Sequence, residues 1–244
     1  RIDIADEVRF DPATGGVRAR RVKRFGKLVL QESQSSKADP AQVRDALLQG
    51  IADLGIARLP WTKDQEHLRR RVEFLRALEP GEWPDLSDDG LTRTLADWLG
   101  PFLENKRSIA AIGADDLGNA LGLLLPWDRK RRLDDEAPSH FVAPTGSHLP
   151  IDYGAEGGPS VAVRVQELFG LATHPTVGAG KARLTLELLS PAHRQIQITR
   201  DLPGFWAGSW KDVRSDMRGR YPKHVWPDDP ANATATRRAK PRGS

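Results

Sequence analysis

The sequence predicts an α+β fold: an N-terminal β-hairpin segment, a central helical unit, and a C-terminal antiparallel β-rich unit ending in a short basic helix. Three observations carry this. Residues 1–34 hold β-prone runs split by Asp11-Pro-Ala-Thr-Gly-Gly16, and a proline with two glycines between such runs is hairpin chemistry. Residues 40–137 carry apolar residues at helical spacing, and from Phe141 the apolar period falls towards two.

In the first segment, Val8-Arg-Phe and Val17 to Val22 flank the turn, and Phe25-Gly-Lys-Leu-Val-Leu30 is a third strand. Three strands cannot close a core alone, so residues 1–34 are expected to complete a sheet begun upstream. The chain opens on Arg1 rather than Met, which reads as a piece of a longer protein. Gln31 to Asp39 is polar and Ser-rich, a linker.

Asp39-Pro40 then starts a helix, Asp as N-cap and Pro at its first position, with Gly55 ending it. Thr62 and Gln65 predict a capping box for a helix over 62–78. Ser87 caps a third helix carrying Leu91, Leu95, Trp98 and Leu99. Residues 105–112, 115–125 and 128–136 read as shorter helices. Leu-Pro-Trp occurs at 59–61 and again at 125–127, each time before a helix. Its flanks differ, so packing at a helix entry is the expected role rather than a duplicated site.

The β-rich unit, 138–230, has candidate strands at 140–143, 148–153, 161–165, 182–189 and 194–199, with a short helix at 165–170. Ala182 to Leu188 and Arg194 to Arg200 alternate about Leu189-Ser-Pro-Ala-His193, a hairpin with one wet face. Residues 231–244 are of low complexity and basic, a disordered tail.

The 244 residues carry a net charge of +4, 39% hydrophobic and 29% charged residues. A basic chain accommodates an anionic partner. Cysteine is absent, which excludes disulfides and thiolate zinc sites and fits a cytoplasmic location. No apolar run is long enough for a bilayer, so no membrane contact is expected. The six histidines show no metal-ligand spacing, and no Gly-x-Ser-x-Gly elbow is present. Gly178-Ala-Gly-Lys-Ala-Arg183 is like a phosphate-binding loop but has Ala182 where the magnesium-holding hydroxyl belongs, and it precedes a strand. It reads as a turn.

The positive signal is basic. Arg18, Arg20, Arg21, Lys23 and Arg24 fall within one acid-free run. Ser209 and Asp212 open a predicted helix that Gly219 ends. On it Trp210, Val213 and Met217 share a stripe, and Lys211, Arg214 and Arg218 an adjacent one. Arg200, Arg220, Tyr221 and Lys223 extend the surface. Such a surface fits RNA or another single strand, with Tyr221 or a tryptophan free to stack a base. The alternative is that the tryptophans are core and the cations merely solvated.

The chain resembles the C-terminal end of the HrpB family of bacterial DEAH-type ATP-dependent RNA helicases. The resemblance rests on Ile198-Thr-Arg-Asp-Leu-Pro-Gly-Phe-Trp-Ala-Gly-Ser-Trp210, Met217-Arg-Gly-Arg-Tyr-Pro-Lys-His224 and Trp226-Pro-Asp-Asp-Pro230. Leu59-Pro-Trp61, Trp83-Pro-Asp-Leu-Ser-Asp88, Ile151-Asp-Tyr153, Gln166-Glu-Leu-Phe-Gly-Leu171 and Leu184-Thr-Leu-Glu-Leu-Leu-Ser-Pro191 keep the family order. The family implies RecA-like motor domains upstream that bind ATP and magnesium. This chain carries none of the ATPase motifs, so it is expected to hold no cofactor or metal and to be inactive alone. It is expected to be an accessory region that contacts RNA and rests against those motor domains. The alternative is a docking module with no RNA contact.

Overall fold

The structure, a computed structural model, describes residues 2–34 and 38–239. The expected Ser-rich linker lies partly outside these residues, as do Lys240 and Arg242 of the tail. The molecule divides into two compact units, Arg1–Arg69 with Trp83–Arg129, and Arg70–Glu82 with Lys130–Ser244.

The first unit begins with a three-stranded antiparallel sheet in the order β1-β2-β3, β1 being Ile2–Asp11, β2 Gly16–Phe25 and β3 Leu28–Gln34. β3 thus takes in residues first read as linker. The β1–β2 turn is closed by Gly15 N donating to Asp11 O at 2.9 Å, with Gly15 at φ +65°, a backbone state glycine adopts without strain. Helix α1 (Pro40–Leu54) packs on one sheet face, where Val8, Val17 and Ala19 meet Ala38 and Val43. Its N-terminus is made as expected: Asp39 accepts from Ala41 N at 3.1 Å.

Helix α2 (Lys63–Leu78) opens on the full capping box, with Gln65 N donating to Thr62 Oγ1 and Thr62 N to Gln65 Oε1. Ser87 caps α3 (Asp88–Arg93) by accepting from Gly90 N at 3.1 Å. The chain continues through α4 (Leu95–Trp98) and α5 (Ala114–Leu124) into α6 (Trp127–Glu136). Between α4 and α5 the expected helix over 105–112 shrinks to a 3₁₀ turn at Ile109–Ala111. There Ile109 N donates instead to Gly15 O, and Val17 N to Arg107 O, so tertiary pairing takes the backbone groups a helix would use. Leu47, Ile51, Leu91, Trp98, Leu117 and Leu121 form the core of this unit, each at most 1% exposed.

The second unit holds the antiparallel pairs β4 (His140–Val142) with β5 (His148–Pro150) and β7 (Thr176–Val177) with β8 (Ala182–Arg183). Its main sheet has the order β10-β9-β6, from β6 (Ser160–Arg164), β9 (Thr185–Leu189) and β10 (Gln195–Thr199). The expected β9–β10 hairpin forms. β6 against β9 is parallel, a departure from an all-antiparallel unit. A parallel pair needs a long crossover, and the segment between β6 and β9 supplies it. That segment starts with a 3₁₀ turn, Val165–Leu168, where a short helix was expected. Val161, Val163, Leu186 and Leu188 bury the inner face.

Two short helices follow, α7 (Leu202–Ala207) and α8 (Trp210–Arg220). α7 was not predicted, although Asp201 caps it at Gly204 N and Pro203 occupies its first turn. Residues 231–239 of the segment expected to be a disordered tail are described. Gly170 N donates to Pro230 O at 2.9 Å and Thr236 N to Gln166 O at 3.1 Å, tying residues 230–236 to the 165–170 turn.

Candidate nucleic-acid interface

The Trp-rich segment is an aromatic core. Trp210, 2% exposed, packs edge-on to Trp206 at 5.4 Å and Phe169 at 5.5 Å, with Trp226 at 6.2 Å. Each indole N–H is satisfied by a backbone carbonyl: Trp206 on Leu171, Trp210 on Pro227, Trp226 on Tyr221. Rings so buried and so bonded present no free face to a base. Tyr221 is half-buried, its hydroxyl 3.4 Å from Ser190 Oγ and its ring against His224. The reading of a tryptophan free to stack is therefore corrected for this segment, while the Tyr221 ring stays half-buried.

Around this core lies a fixed polar frame. Glu167 is 3% exposed. Burial pushes its carboxyl up, but the hydroxyls of Ser147 and Thr145 and the Arg164 guanidinium outweigh burial and hold it below the usual range. His174 Nδ1 accepts from Leu202 N at 3.0 Å while Nε2 meets Leu184 O at 2.7 Å. This fixes a neutral tautomer that pins the start of α7, and burial lowers the pKa of the ring. His224 is lowered for the same reason.

Of the α8 cations, Lys211, Arg218 and Arg220 are exposed and Arg214 is half-buried. Arg214 is paired with Asp228, and Arg220 with Asp216 at 2.9 Å. Lys211 and Arg218 share one side of the helix, with Lys223 exposed just beyond it, and none of the three makes an ion pair among the described residues. Arg200 is exposed at the end of β10. The capping box expected at Ser209 and Asp212 is absent: Ser209 makes no side-chain cap and the helix runs past Gly219 to Arg220.

In the first unit, the cations of β2 face acids brought in by the neighbouring strands. Arg21 pairs with Asp6 at 3.1 Å, Arg18 with Asp11 at 2.6 Å, Arg20 with Glu32 at 2.6 Å, and Arg24 with Glu7. Hydrogen bonds to Glu32 and Asp6 raise the Arg20 and Arg21 pKa values further. The run that is acid-free along the chain is thus interleaved with acids across the sheet. Lys23 alone of the five makes no ion pair among the described residues. The signal was present in the sequence, since Asp6, Glu7, Asp11 and Glu32 lie on both flanks of β2, but only the strand register reveals it.

The Gly178–Lys181 loop turns between β7 and β8, with Gly178, Ala179 and Gly180 all at positive φ. Lys181 Nζ sits 2.5 Å from Glu79, whose carboxyl Lys181 and Arg132 together hold down to about 2. The lysine is engaged in an ion pair rather than set over a phosphate cradle. Among the described residues no group of three or more His, Asp or Glu is placed to hold a metal ion, and no helix is long and apolar enough to cross a membrane.

Comparison with known proteins agrees with this chain from end to end. Residues 98–230 match the family described as ATP-dependent helicase C-terminal, and residues 1–34 match the connector region of ATP-dependent RNA helicase HrpB. The ATP-dependent RNA helicase HrpB of Escherichia coli strain K12 is 43% identical over 240 residues, which is 98% of this chain and 30% of that protein. The crystal structure of the E. coli DExH-box NTPase HrpB superposes with a TM-score of 0.81 at 42% identity, over 98% of this chain and 30% of that one. A crystal structure of the Escherichia coli DEAH/RHA helicase HrpB gives 0.70 at 39% identity, over 92% and 29%. This chain spans about 30% of the length of these relatives. It belongs to the HrpB family of ATP-dependent helicases and corresponds to their C-terminal region.

Proposed function

We propose that this chain is the accessory region of an ATP-dependent RNA helicase and contacts the phosphate backbone of single-stranded RNA. The observation that carries the reading is the side of α8 bearing Lys211 and Arg218, with Lys223 beside it: exposed cations without an ion pair among the described residues, on a helix anchored by the neighbouring buried stripe of Trp210 and Met217. A cation without an acidic partner neutralises phosphate at no cost of a broken ion pair. Arg18, Arg20, Arg21 and Arg24 are assigned a lesser part, since each must exchange a carboxylate for a phosphate. Arg200, Arg214, Arg220 and Lys23 complete the contact set, and Tyr221 acts through its hydroxyl rather than by stacking. ATP and magnesium belong in this reading to motor domains of the full-length protein, and this region alone hydrolyses no ATP.

The test is single-stranded RNA binding by this chain across a salt series. Binding should weaken with salt. The double variant K211E/R218E should lower affinity and reduce the slope of log affinity against log salt by about 1.4, two phosphates at about 0.7 each. Binding that ignores salt, or a double variant equal to the parent, refutes the contact model.

One observation favours docking on the motor domains as a second role. The sheet face covered by α1 near Val8 and Ala19 continues, uncovered, to Ile4, Phe25 and Leu28, which are 60, 57 and 65% exposed. Co-purification of this chain with separately expressed motor domains should be lost in the F25S/L28S variant, and retention would refute this role.

A further inference from the structure

Two arginines of the second unit meet beside the end of β10. Arg183 closes β8, and its Nη1 donates at 3.1 Å to the backbone carbonyl of Arg200, the residue that follows β10. Both side chains are exposed, and neither makes an ion pair among the described residues. A carbonyl is a neutral acceptor and takes one of the five guanidinium donors, so it places Arg183 without matching its charge. Elsewhere in this unit Arg71, Arg132 and Arg164 each find a carboxylate.

The backbone that carries the pair is fixed. Thr199 Oγ1 accepts from Asp201 N at 3.0 Å, which closes the turn at Arg200. His174 joins the residues that follow the two arginines, accepting from Leu202 N and donating to Leu184 O. Burial lowers the His174 pKa, and the charges of Arg183 and Arg200 lower it further, so both cations lie within electrostatic reach of one ring. The neutral ring answers neither charge. Asp201 acts on that ring in the opposite sense, but its carboxylate accepts from Gly204 N at 3.1 Å as the cap of α7 and bonds neither arginine. Like charges held together repel until an anion comes between them.

We propose that Arg183 and Arg200 together clamp one phosphate of a single-stranded RNA backbone. The planar guanidinium fork matches phosphate oxygens in pairs, and one phosphate has oxygens enough for two forks. With the backbone already set, little has to be ordered on binding. The inference rests on the RNA reading above. It adds Arg183 to the contact and gives Arg200 a partner, where the α8 cations neutralise the backbone singly.

The experiment is titration of this chain with fluorescein-labelled oligouridylate, read by anisotropy across a chloride series. R183Q/R200Q should bind about tenfold more weakly at low salt, and its slope of log affinity against log salt should fall by about 0.7, the share of one phosphate. A fall of about 1.4 is that of two separate contacts and overturns the clamp. Affinity equal to the parent's also overturns it, and leaves the α8 contact standing. Arg200→Gln keeps the bond from Arg183 to the backbone carbonyl, so it carries the test if the double variant melts below the parent. Alone it should cost most of the tenfold, and no loss overturns the clamp. Inorganic phosphate at constant ionic strength separates a free anion from the strand. If it raises the melting temperature of the parent while R183Q/R200Q binds RNA as the parent does, the site takes free phosphate and its assignment to RNA is wrong. No binding by the parent chain at low salt overturns the RNA reading and the clamp with it.

Discussion

Replacing Trp210 by alanine separates an anchoring role from a contact role. The side chain is 2% exposed and touches Phe169, Phe205, Trp206 and Trp226, with ring centroids 5.4–6.2 Å apart. Its N–H donates to Pro227 O at 3.1 Å, which ties α8 to the segment carrying Trp226. Truncating a buried aromatic costs about 3–5 kcal/mol, transfer and cavity together. The ring pairs are part of that figure, not additional to it. For a chain of this size, 1 kcal/mol corresponds to about 2–4 °C, so a loss of about 4 kcal/mol lowers the apparent melting temperature by about 8–16 °C. Trp127→Ala is the internal control: the same atoms are removed from a side chain that is 74% exposed, and such surface changes stay within about 0.5 kcal/mol. Thermal unfolding followed by near-ultraviolet circular dichroism reads the aromatic cluster directly. If Trp210→Ala melts with the parent, or the two variants lose equal stability, the assignment of Trp210 to the core is wrong. If Trp210→Ala keeps its melting temperature but loses RNA binding, the indole is a contact and the division between an aromatic anchor and a cationic surface fails.

Two further predictions concern the frame. A Cβ added at Gly50 in α1 would lie 2.1 Å from the Phe10 ring. Alanine gains about 1 kcal/mol in helix propensity but overpacks at about 1–3 kcal/mol. Gly50→Ala should therefore destabilise on balance in urea denaturation, and should become neutral or stabilising when Phe10 is also alanine; a stabilised single variant would show that the ring moves freely. His174 has a pKa held below its ordinary 6.5 by burial, so on acidification the unfolded chain takes up the proton first. Its stabilisation is complete above pH 6.5 and is lost as pH falls below that value, and His224 adds a change of the same sign. Urea midpoints measured from pH 8 to 5 should fall, and fall less steeply in His174→Gln. An identical slope in that variant would remove His174 from the cause.

The features legible in the sequence were those whose partners lie a few residues away. Asp39 with Ala41, Thr62 with Gln65 and Ser87 with Gly90 are caps closed within one turn, and all three formed as read. The hairpin turn at 11–16 and the amphipathic stripe of α8 are likewise local. Where local rules were applied without tertiary partners they failed. The 105–112 segment lost its helix to backbone bonds with Gly15 and Val17. Ser209 lost its cap although its spacing to Asp212 suited one. Beyond Pro230, Thr236 N donates to Gln166 O, a partner distant in sequence that the composition of the tail does not reveal.

The same division governs the candidate interface. The family was legible in Trp-centred elements kept in a fixed order, and 3.6-residue geometry set which stripe of α8 is apolar and which cationic. The sequence could not tell which cations are already matched. Strand register decided that, setting Asp6, Glu7, Asp11 and Glu32 against the arginines of β2. Nor could it tell Trp61 from Trp127, since identical tripeptides meet different neighbours. Exposure and charge pairing are properties of what the folded chain brings alongside a residue, and only tertiary structure supplies those neighbours.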